Sequence, residues 1–306
     1  MDTTVYNSHG KLLITGEYLI LDGAKGLALP TKFGQSLEVS SKGENTIHWT
    51  GYDADGSIWY EDVFTFETIK NKSTKVEDSD TRKTLIELLH FCSLENRDFL
   101  DHETGYSITT RLTFPRKWGL GTSSTLVNNL GQWLHLNPYE LLAKTFGGSG
   151  YDIACAQHSH PIVFHLENEY PIVEPVHFHP TFKNSLYFVY LNQKQSSRSA
   201  IQSYMNHRGR IDTLIPKVNK LTDEIVKAPT FDAFSGLLLE HESLMSNVLE
   251  MKTVQEALFP DFNGVLKSLG AWGGDFILCA SKEPPHDYFK FKGYETVLSF
   301  EKMILK

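Results

Sequence analysis

The sequence predicts an α+β protein with helices on one face of an antiparallel sheet, and three observations predict it. The opening part, residues 9 to 67, alternates apolar and polar residues between turn signals, as strands do. Apolar residues then recur at helical spacing in residues 80 to 96, after residue 122, and again between residues 211 and 250. Strand-like apolar runs return at Phe276 to Ala280 and Glu295 to Phe300.

In order, Lys11 to Thr15 and Tyr18 to Leu21 read as strands, with a turn at Asp22-Gly23. Gln35 to Ser40, Thr46 to Thr50 and Ser57 to Phe66 follow, and Asp55-Gly56 marks a hairpin. The acids Asp53, Asp55, Glu61 and Asp62 lack the spacing of a calcium loop and read as a solvated hairpin. In residues 80 to 96, Leu85, Leu88, Leu89 and Cys92 share a helical face. Tyr106 to Phe114 is a strand stopped by Pro115. The next helix shows Val127, Leu130 and Leu134 opposite Asn128, Asn129 and Gln132. A short helix then starts at Asn137 (cap), Pro138 and Glu140 (capping-box position) and ends at Gly147-Gly148. Pro161 to Leu166 is a strand. The proline-rich stretch from Pro171 to Pro180 reads as irregular and as the boundary between a domain at residues 1–175 and one at 176–306. The later part opens on a strand, Leu186 to Leu191.

A chain of 306 residues with 41% hydrophobic content can build a substantial core. Its formal net charge of -8 is spread along the chain, which argues against a nucleic-acid partner. The three cysteines, Cys92, Cys155 and Cys279, form no CxxC pair, so neither a disulfide framework nor structural zinc is expected. No secretory pattern and no apolar run of roughly 18 residues is seen, so the expectation is a cytoplasmic protein without a membrane partner. His158, His160, His165, His177 and His179 fit no metal-ligand spacing.

Five segments offer chemistry. In Pro115 to Thr125, PRKWGLGTSST, glycines precede hydroxyl residues that open a helix. Backbone N–H groups and the helix dipole can hold a polyphosphate there, with hydrogen bonds to a charged group worth about 1.5–3 kcal/mol each. A serine hydroxyl there can ligate magnesium. It is neither GxxxxGK[ST] nor GxGxxG, and a plain helix cap explains it equally well. In HGKLLITGEYLILDG, Lys11 is an edge lysine or an active-site cation, and Gly16-Glu17-Tyr18 is a polar break in apolar sequence. In GGSGYDIACA, Asp152 is a helix cap or a catalytic carboxylate that orients or deprotonates an acceptor while a lysine stabilises the moving phosphoryl group. Around Gly270, Gly273 and Gly274 the chain makes a tight turn or a backbone wall beside a ligand. In Gln193 to Arg198, the residues Lys194, Ser196 and Arg198 meet a substrate phosphate or carboxylate, or belong to a solvated loop.

The order of these segments resembles the three signature regions of the GHMP kinase superfamily. Gly16-Glu17-Tyr18 and Gly273-Gly274-Asp275 look like the phosphomevalonate kinase forms, and GSGYDIA looks like a bacterial subgroup. The resemblance implies a ribosomal protein S5 domain 2-like N-terminal domain and a ferredoxin-like C-terminal domain, with ATP between them. It implies that Asp152 and Lys11 are catalytic. It makes Gly119, Leu120, Gly121, Thr122, Ser123 and Ser124 the ATP-binding loop, with Ser123 ligating Mg2+. Glu17, Tyr18, Lys194, Ser196, Arg198, Gly273 and Gly274 become substrate-binding. The acid that precedes the aspartate in mevalonate kinases is missing, and Glu140 is the nearest substitute. The implied activity is transfer of the γ-phosphoryl of ATP to phosphomevalonate or mevalonate. A homoserine- or sugar-type acceptor, a decarboxylase of the same fold, a non-catalytic nucleotide binder and a homodimer stay open.

Overall fold

The computed structural model describes residues 3–193, 204 and 211–305. The candidate substrate residues Lys194, Ser196 and Arg198 lie outside the described residues. Two compact units are interleaved along the chain. The first comprises Met1–Gly10, Phe33–Arg116 and Leu120–Gln157, and the second Lys11–Lys32, Lys117–Gly119 and His158–Lys306. Strands β1 (Thr4–Leu13) and β2 (Gly26–Lys42) each run from one unit into the other.

In the first unit, β3 (Thr46–Tyr52), β4 (Ile58–Thr65) and β5 (Gly105–Leu112) join β2 in the order β4-β3-β5-β2. β3 and β4 form the antiparallel hairpin announced by Asp55-Gly56, with a register shift at Gly51/Tyr52, and β3 runs parallel to β5. Five helices follow the strands: α1 (Phe66–Lys70), α2 (Asp80–Glu95), α3 (Thr122–Leu134), α4 (Pro138–Thr145) and α5 (Tyr151–Gln157). Leu37, Val39, Ile47, Trp49, Phe64 and Ile108 of the sheet pack on Leu85, Leu88 and Leu89 of α2 and on Val127 and Leu130 of α3. Each such side chain contributes about 1.5–3 kcal/mol by leaving water. Ser79 caps α2 by accepting from the N–H of Arg82, and Asn137 caps α4 by accepting from the N–H of Tyr139. In the acidic hairpin Asp62 pairs with Arg82, and Asp53 accepts from the N–H of Arg116.

In the second unit, the start of β2 pairs with β6 (Ile162–Glu167), which pairs in turn with β7 (Tyr170–Pro175). A separate antiparallel sheet has the order β11-β8-β10-β9, from β8 (Leu186–Tyr190), β9 (Val265–Ser268), β10 (Phe276–Ala280) and β11 (Val297–Ser299). Its helices are α6 (Ile211–Lys227), α7 (Phe231–Leu249), α8 (Val254–Leu258), α9 (His286–Phe291) and α10 (Phe300–Met303). α6 packs on α7, and α7 on β9. The three cysteines are free and buried. No helix among the described residues is long and apolar enough to cross a membrane.

Three sequence expectations change. Tyr18 to Leu21 is not a strand but leads into a 3-10 turn, Leu19–Asp22, because Gly16 (φ 83°) and Tyr18 (φ 61°) turn the backbone out of the extended region. The irregular stretch after Pro171 begins as strand β7. It is the last strand of its sheet order, where Pro171 and Pro175 need no second ladder partner. The last strand is three residues long, since Ser299 accepts from the N–H of Lys302 and starts α10 at Phe300.

Candidate active site

In the first unit the phosphate-loop candidate becomes the start of α3. Gly121 is its N-cap, with φ 100°, and offers no side-chain cap to the first-turn N–H groups. The hydroxyls that follow divide by role. Ser124 Oγ donates to the Gly121 carbonyl at 3.0 Å, and Thr125 Oγ1 donates to Gln35 Oε1 at 2.7 Å. Both residues are buried. Ser123 is exposed, and its hydroxyl makes no hydrogen bond among the described residues. The loop therefore presents uncapped N–H groups and, at Thr122 and Ser123, hydroxyls not engaged in hydrogen bonds among the described residues, groups that suit a phosphate and a hard cation. These residues fit Mg-ATP.

The polar side of α3 is only partly turned to solvent: Gln132 is exposed. Asn128 and Asn129 are buried. Ser8 Oγ donates to Asn129 Oδ1 at 2.6 Å, Asn128 Nδ2 donates to Ser8 Oγ at 2.8 Å, and Asn129 Nδ2 donates to the Gln35 carbonyl at 3.0 Å. An amide buried in this way is stable only because its partners are present, and this network fixes α3 on β1 and β2. Gln157 Nε2 donates to Asn128 Oδ1 at 3.1 Å and ties α5 to the same network.

Asp152 stands in the first turn of α5, half-buried, with Oδ1 accepting from the N–H of Ile153 at 3.1 Å. The turn before it needs glycine: Gly150 has φ 90°, and a Cβ there would stand 2.8 Å from the Tyr139 ring. Burial pushes the Tyr139 phenol up to about 12, helped by charge on Cys155 and Asp152, so Asp152 and Tyr139 share an electrostatic neighbourhood. Glu140 is exposed and accepts from Asn137 Nδ2 at 3.0 Å, which places it in the cap of α4.

In the second unit, residues 117 to 119 are held at several points. Lys11 Nζ donates to the Gly119 carbonyl at 3.0 Å, and Tyr190 Oη donates to the Lys117 carbonyl at 3.1 Å. Trp118 meets Phe276 edge-on at 5.3 Å. Gly119 has φ 68°, and a Cβ on it would stand 2.2 Å from Asp275 Oδ2. Gly119→Ala should therefore weaken AMPPNP binding, because the methyl must push Asp275 or the loop aside and the left-handed backbone costs about 1–2 kcal/mol. Calorimetry on the variant checks this, and unchanged affinity would contradict it.

Gly273 (φ 78°) turns the chain towards β10, and a Cβ on it would meet nothing within 4 Å, so its backbone faces open space. Its carbonyl accepts from Gln193 Nε2 at 2.7 Å, and Gly274 N–H closes the turn on Ala271.

Glu17 and Tyr18 sit inside the second unit instead of opening outward. Tyr18 Oη accepts from the N–H of Trp272 at 2.8 Å, and its ring stacks on Tyr204. Glu17 is fully buried and paired with Lys267, whose ammonium also donates to the Ser268 carbonyl. His241 Nε2 accepts from the N–H of Gly16 at 3.1 Å, and Glu242 accepts from the N–H and Oγ of Ser268. Burial raises Glu17 to about 7, against the opposing pull of Lys267, and burial lowers His241 well below its usual range. Sequence reasoning missed this cluster. Its one signal was a lysine, Lys267, inside an apolar run.

No protein-family model matches the chain, and no curated protein sequence matches it. Solved structures do. The mevalonate kinase of Methanococcus jannaschii superposes with a TM-score of 0.73 at 15% identity, covering 100% of this chain and 99% of that one. The phosphomevalonate kinase of Streptococcus pneumoniae, in complex with phosphomevalonate and AMPPNP, gives 0.69 at 15%, covering 98% and 100%. The galactokinase of Lactococcus lactis, complexed with galactose, gives 0.67 at 12%, covering 95% and 88%. The chain has the fold of the GHMP kinases.

Proposed function

We propose that this chain is an ATP-dependent small-molecule kinase that transfers the γ-phosphoryl group of ATP to phosphomevalonate or mevalonate. The observation that carries the reading is the start of α3, where Gly121 leaves the first turn uncapped and Ser123 is exposed with its hydroxyl in no hydrogen bond among the described residues. The likeness to a phosphomevalonate kinase bound to AMPPNP and phosphomevalonate supports it.

The chain's own groups divide the work. Backbone N–H groups of residues 119 to 124 and the dipole of α3 hold the phosphates. Ser123 offers an oxygen ligand to magnesium, which when bound neutralises charge on the β- and γ-phosphates. Asp152 accepts the proton of a mevalonate hydroxyl as that oxygen attacks phosphorus. With phosphomevalonate the attacking atom is a phosphate oxygen that carries no proton at neutral pH, so Asp152 would not be needed there as a base. Lys11 is the cation assigned to offset negative charge developing on the transferring group. Gly273 and Gly274 give the acceptor a close backbone wall.

A coupled assay of ADP formation with a panel of acceptors tests the assignment. Turnover should depend on phosphomevalonate or mevalonate and be absent with galactose and homoserine. Turnover confined to one of the latter two would sink the acceptor assignment and keep the kinase. Mg-AMPPNP binding with no acceptor turned over would favour a non-catalytic nucleotide binder.

A further inference from the structure

The inward-facing polar residues of α3 connect two parts of the first unit that phosphoryl transfer must keep in place: the uncapped turn at Gly121 and the helix α5 that carries Asp152. Thr125, Asn128, Asn129 and Gln132 recur at i, i+3, i+4 and i+7, so they form one polar stripe along the helix. The stripe starts beside the turn, where Thr125 Oγ1 lies 2.9 Å from the Gly121 carbonyl. Its bonds then run head to tail. Gln157 Nε2 donates to Asn128 Oδ1, Asn128 Nδ2 to Ser8 Oγ, Ser8 Oγ to Asn129 Oδ1, and Asn129 Nδ2 to the Gln35 carbonyl. Hydrogen bonds in such a run reinforce one another. Every member belongs to the first unit.

Asn128 is the link that reaches α5. Its amide is used at both ends, by Ser8 of β1 and by Gln157, the last residue of α5. α5 packs on α3, but besides Ile153 its buried side chains are the small Ala154, Cys155 and Ala156. Small side chains interlock weakly, so apolar packing sets the position of α5 along α3 only loosely. A hydrogen bond is directional and sets it closely. A buried asparagine between helices fixes register in this way, at a cost in stability. An apolar residue of similar shape would serve stability about as well, so the amide is explained by placement.

We propose that Asn128 is a positioning residue for phosphoryl transfer: through Gln157 it fixes α5 on α3, and so sets where Asp152 stands relative to the turn at Gly121. The assignment rests on the kinase reading above, with Asp152 as the base for an alcohol acceptor. The competing role is structural, with the network holding the unit together and nothing more.

A coupled assay of ADP formation with mevalonate separates the two. It compares the wild type, Asn128→Leu, Gln157→Met and Asp152→Asn, and each of the first two changes combined with Asp152→Asn. Gln157 is exposed, so Gln157→Met should fold even where Asn128→Leu does not. Both single variants should lower kcat roughly tenfold or more, since a misplacement of about 1 Å costs up to about 10²-fold. The mevalonate KM and the AMPPNP affinity should stay within about threefold. Gln157→Lys, which keeps a donor for Asn128 Oδ1, should recover most of the rate. In the Asp152→Asn background neither substitution should lower kcat further, because residues that act through one group are not additive. Equal-fold losses in both backgrounds, or a wild-type kcat in Gln157→Met, would overturn this assignment and leave the kinase reading standing. A wild type that forms no ADP with mevalonate, galactose or homoserine would overturn Asp152 as the base for an alcohol, and this assignment with it.

Discussion

With mevalonate as acceptor, Asp152→Asn is expected to lower phosphoryl transfer by about 10²–10⁴-fold, the range that a positioned acid–base group contributes. The change removes the charge and the proton-accepting capacity, yet asparagine keeps an Oδ1 that can accept from the N–H of Ile153 as Asp152 does at 3.1 Å. The start of α5 should therefore survive, and the Gln157 bond to Asn128 with it. AMPPNP affinity should stay within about threefold, since the proposed phosphate cradle consists of the start of α3 and the residues before it. Asp152→Ala removes both functions and should add a modest loss of stability, about 1 kcal/mol for a lost cap. Steady-state kinetics beside a calorimetric titration would decide. If kcat hardly changes in the asparagine variant, Asp152 is a helix cap and no more.

Lys267→Met is expected to cost about 3–5 kcal/mol of stability, the range for breaking a buried ion pair from one side. Lys267 and Glu17 are both fully buried, so the glutamate would be left without its cation. The penalty should depend on pH. In the wild type Glu17 titrates near 7, above its ordinary 4.5, because burial disfavours its charged form. The folded chain thus holds a proton that the unfolded chain releases between those values. The stability from this group is fully present below about pH 4.5 and lost as pH rises through 7. Without Lys267 the charged form has lost its chief support, so the variant should be hurt more at pH 8 than at pH 5. His241, held neutral by burial and then by Lys267, acts in the same sense, since acid disfavours its folded form less once the lysine is gone. Glu17→Gln combined with Lys267→Met should recover most of the loss. Urea unfolding midpoints at the two pH values check each point, and a pH-independent loss would contradict the electrostatic account.

Legibility in the sequence followed physical range. Local signals carried far: the Asp55-Gly56 hairpin, the Asn137 cap of α4 and the glycine turns before Asp152 all depend on neighbours within a few residues. The α+β class followed from periodicity, because side-chain spacing is set by the backbone. Long-range pairing stayed hidden. Asn128 and Asn129 read only as the polar side of a helix, since a buried amide network with Ser8 and Gln35 has no local mark. Glu17 read only as part of a polar break in apolar sequence, because its partner Lys267 lies 250 positions away. The loop itself was ambiguous in sequence. The structure separates its hydroxyls, committing Ser124 and Thr125 to the helix and leaving Ser123 exposed.

Hydrogen–deuterium exchange with and without Mg-AMPPNP tests most directly whether that loop is the nucleotide site. The backbone N–H groups of residues 121 to 124 have no side-chain cap, so they should exchange quickly in the free protein and slow on adding nucleotide. The protection should fall away with Ser123→Ala at limiting Mg2+ and persist with Ser124→Ala. Binding of AMPPNP that protects other segments and leaves residues 121 to 124 exchanging as before would contradict the account.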